Sequence, residues 1–535
     1  MFLGIVPLIV GDIKRLISNR ITIWIISLGI CSRLIAITLI PEKLSTQISL
    51  DQFTYANLAR WVANSIPVEF YPGYGPGLYN STRTFTIPSS LLVRLGIDPI
   101  DSVRLVSAIY GAFTIIAFSL LLLRVARLSL NKQMLLPNRL FNLVLFSFSF
   151  FPSNFLWSVV GLKESSSQFW IMLALYFLIL ESDLRKTSHR NVVGLAALLS
   201  LVLAFGTRKE TAILICAILI VSYTLSILKR HTLRPVWVPM FAIILGSFYT
   251  ATPQVSASSE FILTPNNLPI TAQSDLSVVT SMVKKQPQGS KPSPAEGNPS
   301  PAEGNPSPSE GNPSPSEESS SVSNDLKNLA KLCSSIGQKI DLGDQSYVCS
   351  TEVESESKSS DAVSAISGSL NTISRSSVIR ENNRFNADSA IPENACKLKD
   401  TYGLPIRTLC NASQLFTSLP QVLFSPSILG EHASIISRFA AVENIFWMVL
   451  IFLVSFSFVG MVKRRQLATL SLSLLMFTFS VVVLLALLEG NLGTAFRHKS
   501  TVLWSIFLII YIYIQENNLY SNWTLWRMSK KKDSN

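Results

Sequence analysis

Long apolar runs with few charged residues recur along the chain, and they constrain its fold more than any other feature. A helix of about 20 such residues matches the roughly 30 Å hydrocarbon core of a bilayer and satisfies its own backbone hydrogen bonds. Because 48% of residues are hydrophobic and 15% are charged, we predict an all-α polytopic membrane protein rather than a soluble domain. About ten spans are predicted: 21–40, 106–123, 141–160, 165–180, 191–206, 211–228, 236–252, 445–462, 467–488 and 501–514.

Lysine and arginine are distributed unevenly between the two sets of short loops. With the N-terminus inside, 20 of these residues flank the inner ends of the spans and 10 lie in the short outer loops. Basic residues resist translocation, so both termini are predicted to be cytoplasmic in a multi-pass protein of the plasma membrane. The net charge of +12 is therefore interpreted as a topology signal, and no nucleic-acid partner is predicted.

The predicted spans divide the chain into four parts. Residues 1–252 form an N-terminal membrane module with a long first exoplasmic loop at 41–105, and residues 433–535 form the C-terminal membrane helices. Between them, 253–330 is a Pro/Ser/Gly spacer that contains repeats of PSPAEGN, and 331–432 is a small cysteine-containing segment. The spacer cannot bury enough apolar surface to offset chain entropy, so the exoplasmic insert is predicted to be partly disordered.

Four of the six cysteines lie in this insert. Bridges from Cys333 to Cys349 and from Cys396 to Cys410 are the preferred pairing among three possibilities. Each would close a loop of about 15 residues, worth roughly 3 kcal/mol in the chain-entropy model. Disulfides require an oxidising compartment, which agrees with an exoplasmic insert. The alternative, four unpaired thiols in a poorly ordered loop, stays open.

Motifs for soluble cofactors are absent from the sequence. The chain has no CxxC, no HExxH and no Walker A loop, and no GxGxxG follows a strand. A protein-built zinc site and cytoplasmic nucleotide chemistry are therefore not predicted. No cofactor is implied, and a requirement for a divalent metal stays open.

The first exoplasmic loop carries an amphipathic pattern. Over residues 50–65 the apolar side chains gather on one helical face, which predicts a helix lying on the membrane surface. Asp51 stands at its start and Tyr55 follows one turn later on the same face. Asp51 is a candidate catalytic carboxylate, although a simple N-cap would explain it equally well. The Pro/Gly-rich segment 71–79 is predicted to be a turn whose tyrosines could stack on a sugar ring.

Charged residues also lie in three short turns on the exoplasmic rim. Ionisable groups next to the hydrocarbon layer are costly, which marks them as functional candidates, although snorkelling charges at helix ends are ordinary. The candidates are Lys163 and Glu164 in the first turn, Arg208, Lys209 and Glu210 in the second, and Arg497, His498 and Lys499 in the third.

These features together resemble a known superfamily. An anchor helix, a long outer loop opening on Asp51, a surface helix, a YPxxxP-like turn, and Arg104 leading the second span in DSVRLVSAIY are similar to the GT-C membrane glycosyltransferases. The nearest likeness is to their protein-mannosyltransferase and lipid A-sugar transferase branch, over residues 15–250. The resemblance implies a GT-C-like bundle that uses polyprenyl-phosphate sugars on the exoplasmic face. That family usually has a second carboxylate after the first, where this chain has Gln52.

Sugar transfer from such a donor requires a base for the acceptor hydroxyl and cations for the leaving phosphate. Asp51 or Glu164 would be the base, and Arg497 and Lys499 with Arg208 would hold the phosphate. The predicted partners are the polyprenyl-phosphate-linked sugar, a glycan, lipid or protein acceptor, and membrane lipids. The remaining candidates for substrate binding are Tyr55, Arg104, Lys163, Lys209, Glu210 and His498.

Two other functions fit parts of the sequence. A polymerase or ligase of the O-antigen type would also place arginines in outer loops, but would handle a polyprenyl-diphosphate glycan and commonly has its large loop late in the chain. A flippase or transporter of lipid-linked oligosaccharides would carry polar residues in mid-span and internal repeats. Here only Arg33 lies clearly inside a span and no repeat between the halves is evident.

Overall fold

The fold is described by a computed structural model. It describes residues 6–41, 51–66, 68, 75–129, 139–184, 187–230, 237–250, 415–424, 435–463, 469–488 and 492–517. Within these ranges the chain is almost entirely helical and contains no strand, which confirms the predicted all-α class.

Sixteen α-helices and one short 3₁₀ segment make up the described part of the chain. In order they are α1 Val6–Ser18, α2 Arg20–Leu39, α3 Asp51–Ala63, α4 Gly75–Arg94, α5 Pro99–Ser129, α6 Arg139–Ser149, α7 Pro152–Val159, α8 Glu164–Asp183, α9 Thr187–Phe205, α10 Lys209–Arg230, α11 Trp237–Tyr249, α12 Leu415–Phe424, α13 Ile435–Lys463, α14 Thr469–Leu488, α15 Leu492–Lys499, the 3₁₀ turn Ser500–Val502 and α16 Leu503–Glu516.

Five of the described helices are long and apolar enough to cross a membrane. They are Arg20–Leu39, Pro99–Arg127, Thr187–Phe205, Arg438–Val462 and Leu470–Leu487, and each overlaps a predicted span. Helices α6 and α7 meet at a bend of 48° and would count as a sixth span if the pair crosses together. Large apolar side chains are exposed along α2 and α13, including Trp24 and Phe452, as expected of surfaces that lipid covers.

The other four predicted spans coincide with helices α8, α10, α11 and α16, which are not among those five. Helix α16 is buried along almost its whole length, so its apolar character serves the protein core. Length and composition therefore support five or six of the roughly ten predicted spans, and the other spans stay predictions. The predicted orientation and the exoplasmic insert likewise stay predictions.

The first predicted loop contains two helices. Helix α3 confirms the helix expected there, but it packs against α4 and α5, and its Tyr55, Leu58 and Trp61 are buried. Helix α4 begins at Gly75, inside the segment predicted to be a turn. Proline is well tolerated in the first turn of a helix because its missing N–H would have no partner there, so Pro76 starts this helix instead of preventing it.

Helix α5 is the central element, and α1 to α4, α7, α8 and α16 all pack against it. At 31 residues it is about 46 Å long. Arg104 lies near one end and Arg124 near the other, separated by an axial rise of about 30 Å. That rise is close to the hydrocarbon thickness of a bilayer.

The bend between α6 and α7 is held by Arg33 of α2. Its side chain is fully buried and donates to the Ser158 hydroxyl and to the carbonyls of Gly29 and Ser149, each at 2.9 Å. The guanidinium also lies 5.2 Å from the ring centroid of Phe155. Ser149 ends α6, so its carbonyl lacks a partner within that helix and Arg33 supplies one.

Close approach of α5 to this bend depends on a glycine. A Cβ atom at Gly111 would lie 2.6 Å from the Ser158 Cβ and 3.2 Å from the Arg33 Cδ. The first separation is shorter than real Cβ contacts, and the second is tighter than an ordinary van der Waals contact. Gly111 therefore lets α5 contact the same two residues that hold the bend.

Replacing Arg33 with alanine is expected to lower the stability of the purified protein. The variant leaves buried acceptors unpaired, which costs about 1–3 kcal/mol for each one. Thermal unfolding in detergent measures this effect. Arg20→Ala in the same helix is the matched control, because Arg20 is exposed. Equal unfolding midpoints for the two variants would contradict the role assigned to Arg33.

Several predictions fall outside the described residues. Cys333, Cys349, Cys396 and Cys410 all lie there, as do the PSPAEGN repeats, so the disulfide pairing stays a prediction. Of the cysteines in the described ranges, Cys31 is exposed and Cys216 is buried, and both are free thiols.

Candidate active site

Four chain segments that are distant in sequence converge at the Arg104 end of α5. Asp51 begins α3, Glu164 begins α8, Arg208 lies in the turn before α10, and Arg497 lies in α15. Each residue stands at or near a helix end, where the chain leaves the apolar part of the bundle. The sequence predicted all four as rim charges, and the structure brings them into direct contact.

Glu164 is the centre of this arrangement, since its side chain is only 1% exposed. Its Oε1 lies 3.2 Å from the Arg208 Nη2 and 3.2 Å from the Arg497 Nε. Arg497 also donates through Nη1 to the Asp51 Oδ2. The four residues therefore form one continuous ion-pair chain in the order Asp51, Arg497, Glu164, Arg208.

Exposure differs strongly along the ion-pair chain. Arg208 and Arg497 are 12% and 14% exposed, whereas the Asp51 side chain is 46% exposed. Asp51 thus forms the open end of the chain and Glu164 its buried middle. The Glu164 Oε2 has no hydrogen-bond partner among the residues that the structure describes.

A glycine turn delivers Glu164 to this position. Gly161 has φ +77°, a conformation that favours glycine, between the end of α7 and the start of α8. A Cβ there would lie 3.0 Å from the Gln52 Cγ and 3.1 Å from the Val103 Cγ1. The turn therefore sits directly on α3 and α5, and Lys163 and Glu164 follow it.

The surroundings of Glu164 and Lys163 shift the pKa values of both side chains. Burial alone would raise the pKa of Glu164, but Arg497 and Arg208 outweigh it and hold that pKa at about 2. Burial, together with Arg208, lowers the pKa of Lys163 to about 8. Burial would also lower the pKa of Arg497, yet Glu164 and Asp51 raise it above its ordinary value. Among the ion-pair chain and Lys163, two carboxylates face three cations, which leaves one positive charge in excess; Glu210, which also acts on Lys163, lies outside this group and is exposed.

Tyr55 lies beneath this charge cluster. Its ring packs edge-on against Phe85 at 5.7 Å between centroids, and the Lys163 Nζ lies 5.9 Å from its ring centroid. Burial raises the pKa of Tyr55, as do Glu164 and Asp51, so its hydroxyl stays protonated. The predicted proximity of Tyr55 to Asp51 on one helix face is thus accompanied by proximity to Glu164 and Lys163.

Arg104 has a different set of partners. Its Nη2 donates to the carbonyls of Ile37 and Ile40 at 2.7 Å each, and its Nη1 lies 3.5 Å from the Asp101 Oδ1. Those two carbonyls belong to the end of α2, where a helix leaves acceptors without partners. Arg104 therefore fastens α2 to α5, and its predicted part in substrate binding stays a prediction.

Lys499 is drawn towards α12 and α13. Its buried Nζ donates to the Asn444 Oδ1 at 2.9 Å and to the Leu423 carbonyl at 3.2 Å, and lies 5.9 Å from the Trp447 ring centroid. Burial lowers the pKa of Lys499 to about 8, although Glu443 opposes the shift. Lys499 thus anchors α15 to its neighbours while Arg497, two residues earlier, joins the ion-pair chain.

The remaining predicted residues border the cluster. His498 is half-buried and helps to lower the pKa of Glu164. Glu210 is exposed at the start of α10 and acts on the pKa of Lys163, and Lys209 beside it is half-buried. Within the described ranges, no group of three or more His, Cys, Asp or Glu residues could hold a metal ion.

Three residues that complete the site were missed in the sequence. The Gln168 Nε2 donates to the Ser500 carbonyl at 3.0 Å, and the Arg208 Nη1 donates to the Thr501 hydroxyl at 3.4 Å. These contacts tie α8 and the α10 turn to the 3₁₀ segment after α15. They span 332 and 293 positions, and no sequence pattern signals such pairs.

Comparison of the chain with protein-family models, with curated proteins and with solved structures finds no match. The chemistry of the site therefore has to be argued from its own geometry.

Proposed function

We propose that the protein is a membrane glycosyltransferase that moves a sugar from a polyprenyl-phosphate donor to a glycan, lipid or protein acceptor on the exoplasmic face. The ion-pair chain of Asp51, Arg497, Glu164 and Arg208 is the observation that carries this proposal. It gathers cations and an accessible carboxylate at one end of an apolar helical bundle. A lipid-linked anion reaches such a position from within the membrane.

Arg497 and Arg208 are assigned to the donor phosphate. The Oε1 of Glu164 forms an ion pair with both guanidiniums and so holds them side by side. Both arginine side chains are largely buried. As the sugar leaves, negative charge accumulates on the phosphate, and fixed cations in a poorly solvated site stabilise it. The excess positive charge of the cluster, with Lys163 included, favours binding of that anion.

Asp51 is assigned as the general base. Of the two carboxylates, Asp51 and Glu164, Asp51 is the accessible one, and without a ligand it forms an ion pair with Arg497. A donor phosphate that binds Arg497 competes with Asp51 for the guanidinium and so releases the carboxylate. The acceptor oxygen then bonds to the anomeric carbon, the bond from that carbon to the phosphate oxygen breaks with its electron pair, and the acceptor proton passes to Asp51.

Glu164 is assigned a positioning role. A carboxylate whose pKa is held at about 2 takes up a proton poorly near neutral pH, where an effective base has a pKa closer to the working pH. Its Oε1 orients both arginines. Of the two carboxylates that the sequence offered as the base, the geometry thus favours Asp51.

The proposed orientation follows from the two ends of α5. The end with Arg124 and Arg127 carries the basic residues expected at the cytoplasmic surface. Arg104, at the other end of α5, is about 30 Å from Arg124 along the helix axis, and the ion-pair chain lies at the Arg104 end. An exoplasmic site is part of the proposal, and it agrees with the use of polyprenyl-phosphate sugars on that face.

Affinity for polyprenyl phosphate is expected to fall as the pH rises through about 8. Lys163 is charged below its pKa of about 8 and neutral above it, so the cluster loses its excess positive charge. Lys163→Arg keeps its charge throughout this range and should bind evenly from about pH 7 to about pH 9. Lys499 has a similar pKa and is unchanged in that variant. If the affinity falls equally with pH in wild type and in Lys163→Arg, the titration of Lys163 is not the cause of that fall.

The proposal is tested by incubating purified protein with a panel of lipid-linked sugars and measuring release of free polyprenyl phosphate. Release from at least one sugar donor in the presence of an acceptor is the expected result. Release of polyprenyl diphosphate instead would indicate a polymerase or ligase. Transport of the lipid-linked sugar across vesicles with no release would indicate a transporter. Either of these outcomes would contradict the glycosyltransferase proposal.

A further inference from the structure

The turn that carries Arg208 is held by Thr84 of α4, a buried residue to which the proposed reaction assigns no part. This turn follows the end of α9 directly. The backbone N–H of Thr84 donates to the Gly206 carbonyl at 2.9 Å, and the Thr84 hydroxyl donates to the Leu203 carbonyl at 2.9 Å. Thr84 therefore bonds to two carbonyls at the end of α9 from a neighbouring helix.

These bonds form where the regular hydrogen bonding of α9 stops. In a continuing helix the Thr207 N–H would donate to the Leu203 carbonyl, but it donates to the Ala204 carbonyl at 3.1 Å instead. The Arg208 N–H also donates to the Ala204 carbonyl, at 2.9 Å. Helix ends leave carbonyl groups without a partner in the helix, and the Thr84 hydroxyl supplies one for Leu203.

A proline in α4 directs the other polar group of Thr84 towards α5. Pro88 lies one turn after Thr84 and has no N–H, so it cannot bond to the Thr84 carbonyl. The hydroxyl of Tyr110 in α5 donates to that carbonyl at 3.1 Å. Thr84 therefore joins α5 through its carbonyl, and it joins the end of α9 through its N–H and its hydroxyl.

The space around Gly206 is closed by the same helix and by α11. A Cβ atom at Gly206 would lie 2.3 Å from the Thr84 Oγ1 and 2.4 Å from the Tyr249 Cε1. The Tyr249 hydroxyl lies 3.3 Å from the Thr84 Oγ1, and the Tyr249 carbonyl accepts from the Arg83 Nη1 at 2.9 Å. Residues of α4 and α11 therefore pack directly against the turn that leads to Arg208.

We infer that Thr84 is a positioning residue for donor binding, because it fixes the end of α9 and so the place of the Arg208 guanidinium. The Arg208 Nη2 lies 3.2 Å from the Glu164 Oε1, and its Nη1 donates to the Thr501 hydroxyl at 3.4 Å. A shift of the turn would draw this guanidinium away from both groups. The inference rests on the proposed function, in which Arg208 binds the donor phosphate, and Thr84 acts only through Arg208.

Equilibrium binding of polyprenyl phosphate to the full-length protein in detergent tests this role. Thr84→Val removes the hydroxyl at nearly constant size, and we expect binding about threefold to tenfold weaker, the range for one hydrogen bond. Thr84→Ser keeps the hydroxyl and should bind like wild type. Thr82→Val is the matched control, because Thr82 is buried in the same helix and its hydroxyl donates to the Leu78 carbonyl within that helix. We expect wild-type affinity for this control even if it lowers the unfolding midpoint.

A double variant shows whether Thr84 acts through Arg208. In an Arg208→Ala background, Thr84→Val should cause no further loss of affinity, and without ligand the two shifts in unfolding midpoint should add to less than their sum. Unchanged affinity in Thr84→Val, an equal loss in Thr82→Val, or additive effects in the double variant would each overturn the positioning role. These outcomes leave the proposed function standing. Absence of polyprenyl-phosphate binding by wild type would instead refute the proposed function, and with it any part of Thr84 in donor binding.

Discussion

Asp51→Asn is expected to abolish sugar transfer, lowering the rate roughly a hundredfold to ten-thousandfold, which is the range for removing a general base. Asparagine has nearly the same size and can still accept a hydrogen bond, but it cannot take the proton of the acceptor hydroxyl. Because Asp51 is 46% exposed and stands at the end of α3, its replacement leaves the packing of the bundle unchanged. The measurement is the initial rate of polyprenyl-phosphate release by purified protein.

Asp101→Asn is the matched control for this variant. Its carboxylate lies at the same end of the bundle, is 59% exposed, and stands 3.5 Å from the Arg104 Nη1 instead of belonging to the ion-pair chain. We expect that variant to transfer sugar at close to the wild-type rate. A fully active Asp51→Asn protein would remove Asp51 from the reaction and leave the base unassigned.

Arg497→Ala is expected to have the second large effect, on the order of a hundredfold to a thousandfold loss of transfer. The substitution removes a cation from the leaving phosphate and separates Asp51 from Glu164. Buried Glu164 loses one of its two ion-pair arginines and keeps Arg208, so a loss of thermal stability should accompany the loss of rate. Membrane insertion should be normal, because the apolar helices are untouched.

Two variants separate the charge of Arg497 from its geometry. Arg497→Lys keeps a positive charge but has a single ammonium in place of the planar group that reaches two carboxylates, so we expect partial activity. Arg438→Ala removes an exposed arginine from α13 and should be close to wild type in rate and stability. If Arg497→Ala transfers sugar as fast as Arg438→Ala does, the phosphate is bound elsewhere.

The helices were predictable because their signal is local. Bilayer thickness and backbone hydrogen bonding fix the length of an apolar helix, so the runs that begin near Ile21, Val106 and Leu467 could be recognised without tertiary information. The same holds for α3, which the apolar periodicity predicted and which begins at Asp51, an acidic residue in the first helical turn. Helix α4 was missed because Pro76 and its neighbouring glycines signal a turn as readily as a helix start.

The site was predictable in its members but not in its pairing. The cost of charges beside the hydrocarbon layer selected Glu164, Arg208 and Arg497, and the place of Asp51 at the start of the predicted surface helix selected that residue. Their contacts join positions 446 and 44 residues apart, and only the packing of the helices decides which charges meet.

Arg104 and Lys499 illustrate the limit of that reasoning. Each is a buried cation near the same helix ends, yet nearby carbonyl or amide oxygens of Ile37, Ile40, Leu423 and Asn444 take up their donors. Whether a cation meets a carboxylate or a helix terminus depends on angles between helices that the sequence does not encode locally.

Competition between Asp51 and the donor phosphate for Arg497 is the central claim, and affinity for polyprenyl phosphate tests it most directly. Equilibrium binding should be measured for wild type, Asp51→Asn and Arg497→Ala at neutral pH in one detergent. We predict tighter binding than wild type for Asp51→Asn, because the resident carboxylate is gone, and weaker binding for Arg497→Ala. One common affinity for all three proteins would contradict the account.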